Sequence, residues 1–284
     1  MKVFVTGATG YIGSVVVEKL IAAGHRPAGL ARSDRAADKL ASLGAGVVRG
    51  DLHDSASIAA GAAAADAAIH LAMEFSAAAP KLDRAAIDAI LAGLGGAGKP
   101  LVYTSGIWVV GSTGDAGADE DSPVNPTPLV AWRPVHEQLV LRAPGIRGIV
   151  IRPAMVYGRG AGFVGVFQRS ASAEGVVRYV GDGENRWPFV HVDDLADLYV
   201  LALGAPAGAL YFAAVGDSVK VKDVARAAAR GARLAAQPLE EARRSVGPLA
   251  DAATLDQVIR SRKAQQELGW KPGRGTVLHE LEAA

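Results

Sequence analysis

The sequence predicts an α/β protein, a doubly wound parallel sheet carrying a smaller C-terminal lobe. Three observations predict it. Short β-rich runs alternate with helical stretches along the first half of the 284-residue chain, the order that a parallel sheet covered on both faces requires. The first of those runs ends directly in a glycine-rich turn, TGATGYIG at 6–13. Beyond residue 153 the alternation becomes irregular, as in a second, smaller lobe. The expected division is one domain over 1–153 and a lobe over 154–284, with chain near 189–214 returning to the first domain.

Each element has a local reason. KVFVT (2–6) is β-branched and apolar, hence a strand, and YIGSVVVEKLIAAG (11–24) is a helix stopped by Gly24. RPAGLAR (26–32) is a second strand, followed by a helix around 34–43 and a third strand, GVVRG (46–50). AAIHLA (67–72) and PLVYTSG (100–106) are the fourth and fifth strands, flanking a helix over roughly 80–95. The segment 111–128 is rich in Gly, Asp and Pro without apolar period, which predicts a long exposed loop. A helix over 134–143 and a strand, RGIVIRP (147–153), complete the first domain. Further on come a helix near 193–204, a strand ALYFAA (209–214) and a helix at 220–230.

Composition narrows the function. Half of the residues are hydrophobic and the net charge is +1, with no Lys/Arg block, so nucleic acid is not expected as a partner. There is no Cys, which removes disulfides, thiolate metal sites and a Cys nucleophile and fits a cytoplasmic location. No window approaches the ~18 consecutive apolar residues of a membrane span, and MKVFVTGATGYIGS reads as strand and turn rather than a signal segment. The six histidines show no metal-ligand spacing, so no metal is expected. A small molecule is the expected partner, and a homodimer the expected assembly.

The glycine turn carries the first chemistry. A glycine triplet opening the helix after the first strand of a βαβ unit is the Rossmann fingerprint. The glycines allow a tight turn and close backbone approach to a pyrophosphate, which rests on the helix N-terminus. Gly7, Thr9, Gly10, Tyr11, Ile12 and Gly13 are therefore the candidate cradle. At the end of the second strand an NAD site offers an acid to the ribose, whereas this chain reads Ala31, Arg32, Ser33, Asp34, Arg35. Arg32 and Arg35 can fork hydrogen bonds onto a 2′-phosphate, which favours NADP(H) over NAD(H). Asp34, just past the usual acidic position, argues the other way.

TGATGYIG, GDLHD (50–54), IHLA (69–72), VYTSG (102–106), RPAMVYG (152–158), FVHVDDLA (189–196) and ELGWKP (267–272) occur in an order and spacing that resembles the extended or atypical short-chain dehydrogenase/reductase superfamily, NAD-dependent epimerase/dehydratase branch. The resemblance implies Asp51 and Leu52 at the adenine and Leu71 and Ala72 along the cofactor. It places Thr104 beside the cofactor, Pro153 and Val156 near the nicotinamide, and His191 in the substrate lobe. Tyr157 matches a position that is usually structural.

In that family a Tyr, three residues, then a Lys handle the substrate proton. LVAWRPVHEQLVL (129–141) places Trp132 and His136 there, and Gly106 stands at the usual Ser position, behind Ser105 and Thr104. Trp is no proton donor in ordinary acid–base chemistry, but His is. The candidate catalytic residues are thus His136, Ser105, Trp132 and Glu74, the last expected to project into the cleft. His136 also stands as a cofactor contact, through the ribose. Arg133 and Glu137 are expected to form a surface or interlobe ion pair, and Asp193 to cap the helix that follows. The expected function is an NADP(H)-dependent oxidoreductase reducing a small carbonyl, imine or activated alkene. AGFVGVF (161–167) suggests a partly apolar pocket. The alternatives are a non-catalytic NADP-binding sensor and a non-redox isomerase or lyase with bound cofactor.

Overall fold

The computed structural model describes residues 1–283, with side chains to residue 282. Its first half runs β1 (Lys2–Thr6), α1 (Tyr11–Ala22), β2 (Arg26–Ala31), α2 (Asp34–Ser42), β3 (Gly46–Arg49), α3 (Ser55–Ala63), β4 (Ala67–His70), α4 (Ala79–Leu94) and β5 (Lys99–Thr104). Then follow α5 (Arg133–Leu141) and β6 (Ile146–Pro153). After β7 (Met155–Tyr157), α6 (Gly162–Glu174), β8 (Val176–Val180), β9 (Arg186–His191) and α7 (Val192–Ala202), strand β10 (Ala209–Ala213) returns to the large sheet beside β6. The chain ends with β11 (Val215–Lys220), α8 (Val221–Ala229), β12 (Arg233–Gln237) and four short helices: α9 (Leu239–Val246), α10 (Leu249–Ala253), α11 (Lys263–Leu268) and α12 (Val277–Ala283).

The seven-stranded sheet is parallel throughout, in the order β3-β2-β1-β4-β5-β6-β10. This is the Rossmann order with one added strand. It reverses direction between β1 and β4, and a crevice outside the carboxyl ends of the strands is the binding place in such sheets. Strand alternation divides the core: Val3 and Val5 face the layer of α1, α2 and α7, while Phe4 packs with α3, α4 and α5. Both layers are built mainly of apolar side chains.

A third core fills the C-terminal lobe, where Met155, Tyr157, Phe167, Trp187 and Phe189 pack against α8. Trp108, just after β5, touches this core as well as that of the large sheet. No helix among the described residues is long and apolar enough to cross a membrane.

The segment 111–128 is the long, mostly exposed loop that its composition predicts, but it is fastened down. The Thr113 and Ala118 amides donate to the carbonyls of Asp256 and Val258, and the Phe212 amide donates to Glu120. The chain from 254 to 262 clasps it, with Arg186 bidentate on Asp256 (2.9 and 2.7 Å) fastening that strap to β9. Tertiary hydrogen bonds replace the period that the segment lacks.

Candidate active site

The glycine turn sits at the β1 end of the crevice. Gly7 has φ +69°, and a Cβ there would lie 2.7 Å from the Ala72 amide nitrogen. A Cβ on Gly13 would lie 2.1 Å from the Gly7 carbonyl oxygen. Only glycine permits this approach of turn, helix and β4 loop. Gly10 precedes α1 with no side chain capping the first-turn amides of Tyr11, Ile12 and Gly13. Those amides and the positive helix end suit an anion. Thr9 gives its carbonyl to Lys39 Nζ (2.9 Å). The Tyr11 hydroxyl donates to the Gly158 carbonyl (2.8 Å), so it ties the two lobes and is spoken for by the protein.

At the far end, Ala31, Arg32, Arg49, Gly50, Asp51 and Asp54 line a cavity of about 310 Å³. Arg35 is exposed and does not line it; Arg49, overlooked in the sequence, does. Asp34 pairs with Arg49 at 2.8 Å, so its carboxylate is already engaged. Asp51 accepts from the His53 amide and Asp54 caps α3, which fixes the loop carrying Leu52. A nicotinamide dinucleotide fits this chain: uncapped amides face its pyrophosphate position and an arginine-lined hollow lies at the adenosine end.

The middle of the crevice holds a buried polar cluster. Asp83 of α4 accepts from His136 Nδ1 (2.7 Å) and from the Tyr103 hydroxyl (2.9 Å), both through Oδ2. Its Oδ1 lies 3.3 Å from His70 Nε2, off the line of a good hydrogen bond. Burial alone would raise the Asp83 carboxyl, but the hydrogen bond from His136 and the closeness of the His70 imidazole outweigh it and hold the group well below the usual carboxylate range. With Nδ1 held by Asp83, Nε2 is the free nitrogen of His136.

Around His136, the Trp132 ring packs with its centroid 4.9 Å from the imidazole, and its Nε1–H is committed to the Leu129 carbonyl. Ser105, at the end of β5, has a buried hydroxyl with no partner. Thr104 points to the other face of the sheet, where its hydroxyl meets Tyr199 at 2.7 Å. Gly106 has an extended backbone and open space where a side chain would go. The amides of Leu71 and Ala72 both donate to Thr6 Oγ1. Pro153 pairs with Ala213 at the edge of the large sheet, and Val156 with Val190 in the small one.

Three expectations are corrected. Glu74 does not enter the His136 cluster; it bonds Ser76 and His53, which lower its carboxyl, and stays on the rim. Arg133 and Glu137 do not pair at a surface. Both are buried: Glu137 is bidentate with Arg152 (2.9 and 2.6 Å), and Arg133 donates to the Thr104 carbonyl and lies over Trp132. Successive α5 turns face inward, which the short pattern did not disclose. Finally, His191 rather than Asp193 caps α7, accepting from the Asp193 amide, while Asp193 pairs with Arg159.

A search of protein families finds a match over residues 4–206 to the 3-beta hydroxysteroid dehydrogenase/isomerase family. The chain belongs to that family. With membership comes the coarse assignment, an NAD(P)-dependent enzyme of short-chain dehydrogenase/reductase type. The uncharacterized protein C2A9.02 of Schizosaccharomyces pombe is 37% identical, over 99% of this chain and 98% of its own. The UDP-glucose 4-epimerase of Mycolicibacterium smegmatis is 31% identical, over 73% of this chain and 74% of its own. The dTDP-glucose 4,6-dehydratase DesIV of Streptomyces venezuelae, solved as a double mutant with NAD and DAU bound, superposes with a TM-score of 0.84. It covers 99% of this chain and 95% of that one; at 21% identity it speaks for the fold.

Asp83, His70 and Arg49 escaped the sequence reading. One signal for Asp83 was present: with Ala79, Ala86, Ile87, Ile90 and Leu94 it falls on the buried stripe of α4. A carboxylate there must find partners.

Proposed function

We propose that this enzyme reduces a small, largely apolar carbonyl, imine or activated alkene with NADPH, and that His136 supplies the proton. The observation that carries this reading is His136 itself, buried beside Trp132 with Nδ1 engaged and Nε2 free. None of the six tyrosines is followed by Lys four residues on, so the chain has no Tyr-x-x-x-Lys pair to do that work. When bound, the dinucleotide supplies hydride to the acceptor carbon. The oxygen or nitrogen left with the charge takes a proton from Nε2 of His136. Ser105, with its unpartnered buried hydroxyl, is free to orient that oxygen.

For the cofactor, Arg32 in that hollow, which has no carboxylate partner among the described residues, supports a 2′-phosphate, with Arg49 held beside it by Asp34. For the substrate, Trp108 and Phe163, edge to face at 6.0 Å, support an apolar wall between the lobes. Two arginines of the C-terminal lobe are already neutralised, Arg186 by Asp256 and Asp115, Arg159 by Asp193 and Glu18. That argues against a nucleotide diphosphate substrate. The likeness to a UDP-glucose 4-epimerase favours a second reading, an isomerisation with no net redox change.

Titration of tryptophan fluorescence with NADPH and NADH tests the cofactor. NADPH should bind the tighter, and Arg32→Ala should weaken it by about 10- to 100-fold, the worth of one or two charge-assisted hydrogen bonds. Equal affinity for the two dinucleotides defeats the NADP reading. Turnover without change in nicotinamide absorbance supports the isomerase instead.

A further inference from the structure

We propose that Asp83 and His70 are positioning residues that hold His136 in the one tautomer able to exchange a proton with substrate through Nε2. This rests on the reading of His136 as proton donor. Two lines of hydrogen bonding lead to it. Asp83 is ionised and can only accept, so the His136 nitrogen 2.7 Å from it, Nδ1, carries hydrogen. The second line starts at Thr6. Its hydroxyl oxygen accepts the Leu71 and Ala72 amides (3.2 Å each), and its single proton goes to His70 Nδ1 at 2.6 Å. His70 therefore carries its own hydrogen on Nε2, the nitrogen facing Asp83 Oδ1 at 3.3 Å. Both histidines offer N–H to the same carboxylate, and Tyr103 offers O–H.

This arrangement is a brace and not a wire. Inward from Asp83 the chain ends at Thr6, whose remaining partners are backbone amides that cannot take or give up protons. The proton that reaches substrate must come off His136 Nε2, so the ring enters the step with hydrogen on both nitrogens and leaves it neutral, with hydrogen on Nδ1 alone. That N–H bond breaks and an O–H (or N–H) bond forms on the substrate. Nδ1–H stays on Asp83, and the ring regains its proton from water at Nε2 after product leaves. Thr6 also links the brace to the cofactor side, because the Ala72 amide that it holds lies against Gly7.

Long-range proton–nitrogen NMR of histidine-labelled protein tests this directly. The wild type should show one exchange-protected imidazole N–H proton that is lost in His136→Ala and another that is lost in His70→Gln. In Asp83→Asn the His136 signal should be lost or move to the other nitrogen. With NADPH and trifluoroacetophenone as probe, Asp83→Asn should lower kcat by about 10²-fold, at the low end of what general acid catalysis contributes, with KM for NADPH unchanged. His70→Gln, which can still donate to Asp83, should retain far more kcat than His70→Leu. If Asp83→Asn does not fold, His70→Leu carries the same reading of the His136 resonance. A folded variant with the wild-type His136 signal overturns the proposal, whether or not the ketone is turned over. A His136→Ala enzyme with wild-type kcat overturns the proton-donor reading instead, and leaves the tautomer result standing.

Discussion

His136 and Glu137 are neighbours on α5, both buried, yet they serve opposite ends. Glu137 is 1% exposed and is bidentate with Arg152, whose guanidinium also lies over Phe212. Both Glu137 oxygens are occupied, and the pair welds α5 to β6. One residue earlier, His136 shares Asp83 with His70 and Tyr103 and keeps one nitrogen open. The same cost, charge taken out of water, is met in the first case by one bidentate counter-charge and in the second by several separate donors. A closed pair can only hold structure; a carboxylate shared among donors can hold a reactive group in place.

The sharpest way to break the comparison is to cut the weld. Glu137→Ala strands Arg152 and should cost about 3–5 kcal/mol of stability by urea unfolding. Replacing both partners by apolar residues of similar volume should recover most of that loss. If Glu137→Ala unfolds at the wild-type midpoint, the pair is not structural.

Acid separates the two regions next. Because the Asp83 carboxyl is depressed in the folded protein, it contributes stability that is fully present above its unfolded value of about 3.9 and is lost as pH falls below it. Urea midpoints followed from neutral pH to about pH 3 should therefore fall less steeply in Asp83→Asn than in the wild type. Equal slopes would mean that the carboxylate gains nothing from its histidines. The smallest effect belongs to Tyr103→Phe, which removes one of several donors to Asp83. It should cost about 1.5 kcal/mol of stability and leave kcat within a few-fold of wild type. A collapse of kcat would make Tyr103 more than a supporting donor.

These contrasts also mark what could be read early. The glycine turn, the succession of strands and helices in the first half and the dinucleotide end all rest on local signals, spacing and β-branched runs that act within a few residues of one another. Asp83 was legible in principle, as a carboxylate on an apolar helix stripe. Its partners were not, since His136 lies 53 residues away and Tyr103 lies 20. The fate of Arg133, the real partner of Glu137 and the clasping of 111–128 by the chain near 256 likewise depend on contacts with no local trace.

By itself, then, the sequence determined the architecture of this protein and pointed to a nicotinamide dinucleotide as its cofactor, because hydrophobic period and glycine placement are properties of short stretches of chain. Only the tertiary structure decided which buried charge is welded shut and which is left serviceable. That choice depends on donors that β4, β5 and α5 carry to a carboxylate on α4, and burial leaves that carboxylate no water to take their place.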